Sequence, residues 1–151
     1  MRGQARAATA ATLAAWLIAG CVGAPREELP GAGGVEAFAD QAQPVLAERC
    51  ANPSCHGNPS RPLSLYAPRR HRADPGDVYL DTPLTAEELE HDFRQAAVFV
   101  AEARRPDESL LLVKPRSPEH GDGLVFLDPV EYDLRRLRAW VRAAHAAGVT
   151  P

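Results

Sequence analysis

The sequence predicts an all-α fold: a small helical domain with long, proline-rich loops. Three segments repeat apolar residues at helical spacing, beginning near Val35, Thr85 and Asp128. The chain has 14 prolines in 151 residues, which favours long connections, and only 6% of its residues are aromatic. We therefore expect one domain, residues 35–151, with a small core. The formal charge of −3 gives no footprint for binding nucleic acid.

The first 20 residues predict a lipoprotein signal peptide. Arg2 and Arg6 precede an apolar run that is too short for a usual transmembrane helix. The run ends in Leu-Ile-Ala-Gly-Cys, which resembles a bacterial lipobox and implies that Cys21 carries a lipid anchor after cleavage. An ordinary secretory signal with an incidental cysteine is the alternative.

The lipobox places the mature chain in the cell envelope, facing the periplasm or the cell surface. Val22, rather than aspartate, follows Cys21, which favours the outer membrane if the host sorts lipoproteins as enteric bacteria do. Residues 21–34 are rich in glycine and proline and predict a flexible tether. Use of Cys21 leaves Cys50 and Cys55 as a pair.

The most informative stretch is Cys-Ala-Asn-Pro-Ser-Cys-His-Gly, residues 50–57. Two thiols can add to the vinyl groups of a haem, and His56 could then reach the iron as proximal ligand. The usual attachment spacing is Cys-x-x-Cys-His, whereas four residues separate Cys50 from Cys55. A Pro-Ser turn before Cys55 could bring the sulfurs together.

Two other interpretations of this stretch stay open. In the first, Cys50 and Cys55 form a small-loop disulfide in an oxidising compartment, with His56 on the surface. A Cys/Cys/His zinc site would need a fourth ligand, and none follows at a usual spacing.

The helices follow from local signals. Val35 to Arg49 predicts a helix interrupted at Pro44, with an apolar face. Thr85 and Glu88 form a capping box that starts a helix running to about Glu102. Its His91 lies off the apolar face, so we expect it to be exposed and not a ligand. The members of the first helix's apolar face are Phe38, Ala42, Val45 and Leu46.

The last helix is expected to start with Asp128 as its N-cap and to end at Gly148. Trp140 falls at the edge of its apolar stripe, and His145 near its C-terminal end suits the helix dipole. The apolar stripe comprises Val130, Leu134, Leu137, Val141 and Ala144.

Residues 58–83 predict an irregular loop whose apolar cluster is Leu63, Leu65 and Tyr66. If a haem is present, Leu63 and Leu65 would pack on its edge. The basic run from Arg69 to Arg72 is read as solvated surface, with pairing to haem propionates as the alternative.

The order of these motifs resembles the planctomycete-type cytochrome c domains, a c-type cytochrome-like family. The matching motifs are Gln43-Pro44-Val45-Leu46, Cys50…Cys55-His56-Gly57, Ser109-Leu110-Leu111, Lys114-Pro115, His120-Gly121-Asp122-Gly123 and Tyr132…Leu137…Trp140. The resemblance covers about residues 35–147. It implies a small cytochrome c-like domain, covalent haem c with its iron, and crossed first and last helices in which Phe38 contacts Trp140.

The resemblance also implies a function and a ligand set. The expected function is one-electron transfer with an unknown redox partner protein. The sole methionine, Met1, leaves with the signal peptide, so His120 is the leading distal ligand and His71 the second candidate. A bis-His haem has a lower reduction potential than a Met/His haem. An ordinary turn histidine is the alternative for His120.

No nucleophile–base pair or paired carboxylates stand out, so we expect no enzyme. A less favoured alternative is a peroxidase-like activity, which would require a five-coordinate haem with an open iron site. The rival hypothesis is a non-redox lipoprotein in which a Cys50–Cys55 disulfide stabilises a structural or interaction module.

Overall fold

The computed structural model describes residues 33–121, 125–126 and 131–151. Within these ranges the chain is mostly helical, at 54%, and contains no strand, in agreement with the predicted all-α class. The α-helices are α1 (Val35–Gln41), α2 (Gln43–Arg49), α3 (Ala86–Ala101), α4 (Leu110–Val113) and α5 (Tyr132–Ala146). Short 3-10 turns occur at Pro75–Tyr79, Pro106–Glu108 and Lys114–Arg116.

Pro44 divides the first helical segment, as predicted. α1 ends at Gln41 and α2 begins at Gln43, with Pro44 in the first turn of α2. Proline has no N–H, so it cannot donate to the carbonyl of Asp40 one turn earlier. Arg136 of α5 donates to that carbonyl instead, so the break in the helix is joined to the last helix.

An aromatic cluster joins α1, α3 and α5 at the centre of the core. The ring of Phe38 lies 5.0 Å from Trp140 and 5.8 Å from Phe93, both in edge-to-face geometry. This confirms the predicted contact between Phe38 and Trp140. Trp140, which the sequence places at the edge of the apolar stripe, is fully buried in this cluster.

A buried ion pair fixes the start of α3. The capping box is present: Thr85 accepts from the Glu88 N–H, and Glu88 accepts from the Thr85 N–H. Arg72 donates to both carboxylate oxygens of Glu88. Burial acts to raise the pKa of Glu88, but hydrogen bonds from Arg72, Ala73 and Thr85 outweigh it and lower this pKa to about 2.

The interpretation of Arg69 to Arg72 as a solvated run is therefore wrong for Arg72, whose side chain is 1% exposed. Arg70 is partly buried as well, and it donates to the last carbonyls of α2, those of Ala47 and Glu48. Arg69 alone keeps a largely exposed side chain.

His91 also differs from its prediction. It is partly buried, its Nε2 donates to the carbonyl of Ser64 at 3.2 Å, and its ring lies 4.8 Å from that of Tyr66. His91 lies off the apolar face of α3, as its spacing predicts. The loop of residues 63–66 covers that position, which a helical wheel cannot show.

The C-terminal end of α5 matches its prediction. Gly148 adopts φ +64°, and the Val149 N–H bonds to the Ala144 carbonyl at 3.0 Å, which closes the helix in a Schellman motif. His145 in the last turn donates from Nε2 to the carbonyl of Ala103 at 3.1 Å. The predicted N-cap Asp128 and stripe residue Val130 lie outside the described residues, and the helix begins at Tyr132.

The signal peptide, residues 1–20, lies outside the described residues, as do Cys21 and all but the last two residues of the tether. Among the helices that the structure describes, none has the length and apolar character needed to cross a membrane.

Candidate functional site

The stretch from Cys50 to Gly57 folds into a compact turn directly after α2. The carbonyl of Asn52 accepts from the N–H groups of Cys55 and Gly57, at 2.8 and 2.9 Å, and its side chain accepts from the Ser54 N–H at 3.0 Å. The carbonyl of Cys50 accepts from the His56 N–H at 3.1 Å. Pro53 and Ser54 are thus the central residues of the turn that the sequence predicts before Cys55.

Gly57 is the residue that this turn requires. A Cβ at this position would lie 2.4 Å from the carbonyl oxygen of Ala51, closer than any side chain can approach. Because Gly57 has no side chain, its backbone can lie against that of Ala51, which places His56 next to the end of α2.

The imidazole of His56 has a fixed orientation. Its Nδ1 lies 2.9 Å from the carbonyl oxygen of Leu63, which can only accept a hydrogen bond. Nδ1 therefore carries the proton, and the lone pair of Nε2 is free to bind a metal. A backbone carbonyl on the second nitrogen is the usual partner of a metal-ligating histidine.

The imidazole of His120 lies beside that of His56. The two imidazole centroids are 5.8 Å apart, and the ring planes differ by 17°. The 3-10 turn Lys114–Arg116 and a turn from Ser117 to His120 carry the residue to this position. Burial lowers the pKa of His120, and the nearby charges of His56 and Lys114 lower it further, so its neutral, ligating form is favoured.

A mostly apolar pocket of about 230 Å³ lies beside these two imidazoles. Its walls come from α2, the Cys50–Gly57 turn, α3 and α4. Among the described residues that line it, Lys114 is the only lysine or arginine. The apolar lining residues include Leu46, Leu63, Phe99, Leu110 and Leu111.

The two cysteines occupy different environments. Cys50 is buried and lines the pocket, whereas Cys55 is exposed and is not among the lining residues. No disulfide joins them in this structure. Burial raises the pKa of Cys50 to about 12, and the charge of Cys55 adds to this effect.

The structure thus brings together three of the predicted site residues, Cys50, His56 and His120, and leaves Cys55 adjacent. His71, the second distal candidate, is not among the residues lining the pocket; its Nδ1 bonds to the Leu65 carbonyl at 2.8 Å. Of the two leucines expected to pack on a haem edge, Leu63 lines the pocket, whereas Leu65 is buried and is not among the lining residues.

The basic run of Arg69 to Arg72 likewise contributes nothing to the pocket, so the proposed pairing of this run with haem propionates has no support. Instead, a positive charge at the pocket comes from Lys114, which in the sequence stands out only as part of a Lys-Pro motif. Within the described part of the chain, no three His, Cys, Asp or Glu side chains cluster closely enough to hold a metal ion by themselves.

Comparison with known proteins adds no relative. No protein-family model matches the chain. No curated protein and no solved structure matches it either. The resemblance to cytochrome c domains therefore stays a prediction that depends on the motifs and on the site described above.

Proposed function

We propose that this chain is a lipid-anchored c-type haem protein that transfers single electrons outside the cytoplasm. The observation that supports this most strongly is the pair His56 and His120, whose rings are 5.8 Å apart at an apolar pocket that Cys50 also lines. The sequence order of the cysteines and His56 gives independent support.

The two rings are stacked, and their centroid separation is close to that of two imidazoles that ligate one metal ion, although ligation would require the ring nitrogens to turn toward a common point. With metal–nitrogen bonds of about 2 Å, two such imidazoles have centroids about 6 Å apart. His56 already has Nδ1 tied to a carbonyl, which directs Nε2 to the ligand role. Two protein nitrogens cannot by themselves hold iron firmly, so the porphyrin would have to supply the remaining donors.

Cys50 and Cys55 would hold the haem covalently, with His56 as proximal and His120 as distal ligand. Cys50 lines the pocket, and attachment through Cys55 requires its exposed Sγ to turn inward. Lys114 places a positive charge where a haem carboxylate could be bound.

When bound, the haem supplies an iron centre that gains and loses one electron. The residues of this chain set its surroundings. Two histidine ligands leave no open position for a substrate, which favours electron transfer over catalysis. The mostly apolar lining would lower the polarity around a bound iron. Histidine in place of methionine would lower the reduction potential. We propose no enzymatic activity.

The test is the colour of the protein expressed in a bacterium able to mature c-type cytochromes and purified in detergent. We expect a Soret band, low-spin visible bands, and a pyridine haemochrome typical of two thioether links. Cys55→Ser should shift the haemochrome band toward that of a single link, because Cys50 remains.

Three other results would count against parts of the proposal. A colourless protein with a Cys50–Cys55 disulfide identifies the non-redox lipoprotein instead. High-spin bands would show an iron with an open position and would remove His120 as a ligand. Retention of the protein in the aqueous phase on detergent partition, together with a Cys21→Ser variant that behaves identically, would remove the lipid anchor.

A further inference from the structure

The segment of residues 63–66 holds His56 by two hydrogen bonds. The carbonyl of Leu63 accepts from the imidazole Nδ1 at 2.9 Å, and the Leu65 N–H donates to the His56 carbonyl at 2.8 Å. One bond fixes the ring and the other fixes the backbone that carries it. The position of His56 therefore depends on where this segment lies.

The same segment is bound on its other side by polar side chains of α3. The Ser64 N–H donates to Gln95 Oε1 at 3.3 Å, and His91 Nε2 donates to the Ser64 carbonyl at 3.2 Å. The Tyr66 N–H donates to Asp92 Oδ1 at 2.8 Å. His91, Asp92 and Gln95 lie within about one turn of the helix, so one rigid element makes all three contacts.

The helical structure of α3 does not by itself require these polar side chains. Asp92 is 1% exposed, and in contrast to Glu88 no arginine pairs with it among the described residues. Burial raises the pKa of Asp92 to about 8, although the hydrogen bond from Tyr66 acts in the opposite direction. A buried carboxyl group lowers stability unless its hydrogen bonds serve the structure around it. The Gln43 side chain also acts to lower this pKa, and the backbone group that Asp92 accepts from is the Tyr66 N–H, in the segment that holds His56.

We infer that His91, Asp92 and Gln95 are positioning residues for His56, acting through the backbone of residues 63–66. The reason for positioning His56, as an iron ligand, rests on the proposed function. The positioning itself does not. With the segment clamped to α3, the Leu63 carbonyl keeps the proton on Nδ1 and strengthens Nε2 as a ligand.

The test compares a disruptive double variant with matched controls. His91→Leu combined with Gln95→Leu removes two of the three bonds and leaves Asp92 in place. His91→Gln keeps a side-chain N–H donor, and Asp92→Asn keeps an oxygen acceptor for Tyr66 while removing the charge. Each protein is the mature full chain, prepared with and without haem.

The first readout needs no haem. In the haem-free wild type, the ¹⁵N shifts of His56 should show the Nδ1–H tautomer, and the Leu65 amide should exchange slowly with solvent. The double variant should show a mixture of tautomers and at least tenfold faster exchange at Leu65. Both controls should resemble the wild type.

The second readout is the reduction potential of the haem-loaded protein. It should rise in the double variant, because a weaker Nδ1 hydrogen bond makes His56 a poorer donor to oxidised iron.

An unchanged tautomer and unchanged exchange in a double variant that keeps its helical circular dichroism would overturn the inference. If that variant does not fold, Gln95→Leu alone decides by the same two measurements. If the protein never carries haem, the proposed function is wrong. The haem-free measurements still decide whether α3 positions His56.

Discussion

The aromatic cluster of the core and the pocket beside His56 are held in place by different kinds of contact. Phe38, Phe93 and Trp140 come from three helices and pack edge to face, without a hydrogen bond between them. His56 and His120 come from turns between helices, and hydrogen bonds to backbone carbonyls and N–H groups set their positions. Packing therefore builds the first region, and directional polar contacts build the second.

This difference separates stability from site geometry. Removing packed atoms from the core should lower the free energy of unfolding and leave the imidazoles in place in the molecules that remain folded. Removing a hydrogen-bonding group beside the pocket should alter the imidazoles at a smaller cost in stability.

His56→Ala should abolish the low-spin haem spectrum, because it removes the imidazole whose Nε2 is free for the iron. His71→Ala is the matched control, since His71 also donates from Nδ1 to a carbonyl but does not line the pocket. Absorption spectra of the two purified variants make the comparison. Equal spectral loss in both would show that the pocket does not distinguish the two histidines.

Trp140→Ala should lower the free energy of unfolding by about 3–5 kcal/mol, because it leaves a cavity between Phe38 and Phe93. Tyr132→Ala, at a position 64% exposed on the same helix, should change it by less than about 1 kcal/mol. Urea unfolding measures both. The contrast between core and site fails if Trp140→Ala also shifts the absorption bands of the folded protein.

The stability of the wild type should fall as the pH rises from about 4 to about 8. Burial raises the pKa of Asp92 from an ordinary 3.8 to about 8, so folding takes up a proton in this range and the charged form opposes folding. The slope is at most about 1.4 kcal/mol per pH unit. Asp92→Asn keeps the acceptor for Tyr66 and should flatten it. Urea unfolding at pH 5 and pH 8 measures the difference, and parallel slopes in the two proteins would show that Asp92 ionises normally.

Thr85→Ala should lower the free energy of unfolding by about 1 kcal/mol, because the Glu88 N–H loses its partner at the start of α3. Thr85→Ser keeps the hydroxyl and should change it by a few tenths at most. The haem spectrum should stay the same in both, since the cap lies at the end of α3 away from the Phe99 side of the pocket. Thermal unfolding and absorption spectra test these outcomes together.

The sequence predicted the elements that local signals determine. Pro44 and the Thr85 capping box act within a few residues of themselves, so the break between α1 and α2 and the start of α3 could be read directly. The predicted ends of α3 and α5 were within a few residues of those observed, for the same reason. His120 was selected from the order of motifs, and the structure places it beside His56.

The errors concern contacts between segments distant in sequence. Arg72 looked like part of a solvated run because its partner Glu88 lies 16 residues away. His91 looked exposed because nothing in α3 itself shows that residues 63–66 cover that face. No periodicity within one helix contains this information.

The buried Gly33 has a consequence for how the domain can be handled. A Cβ at Gly33 would lie 2.5 Å from the Cα of Ala144, so the chain enters the domain in direct contact with the last helix, a few residues before the C-terminus. The beginning and the end of the folded unit are therefore neighbours. A short linker could join them, and new termini could be opened in the exposed turn near Ser60, giving a circularly permuted protein with the same helices in the same places.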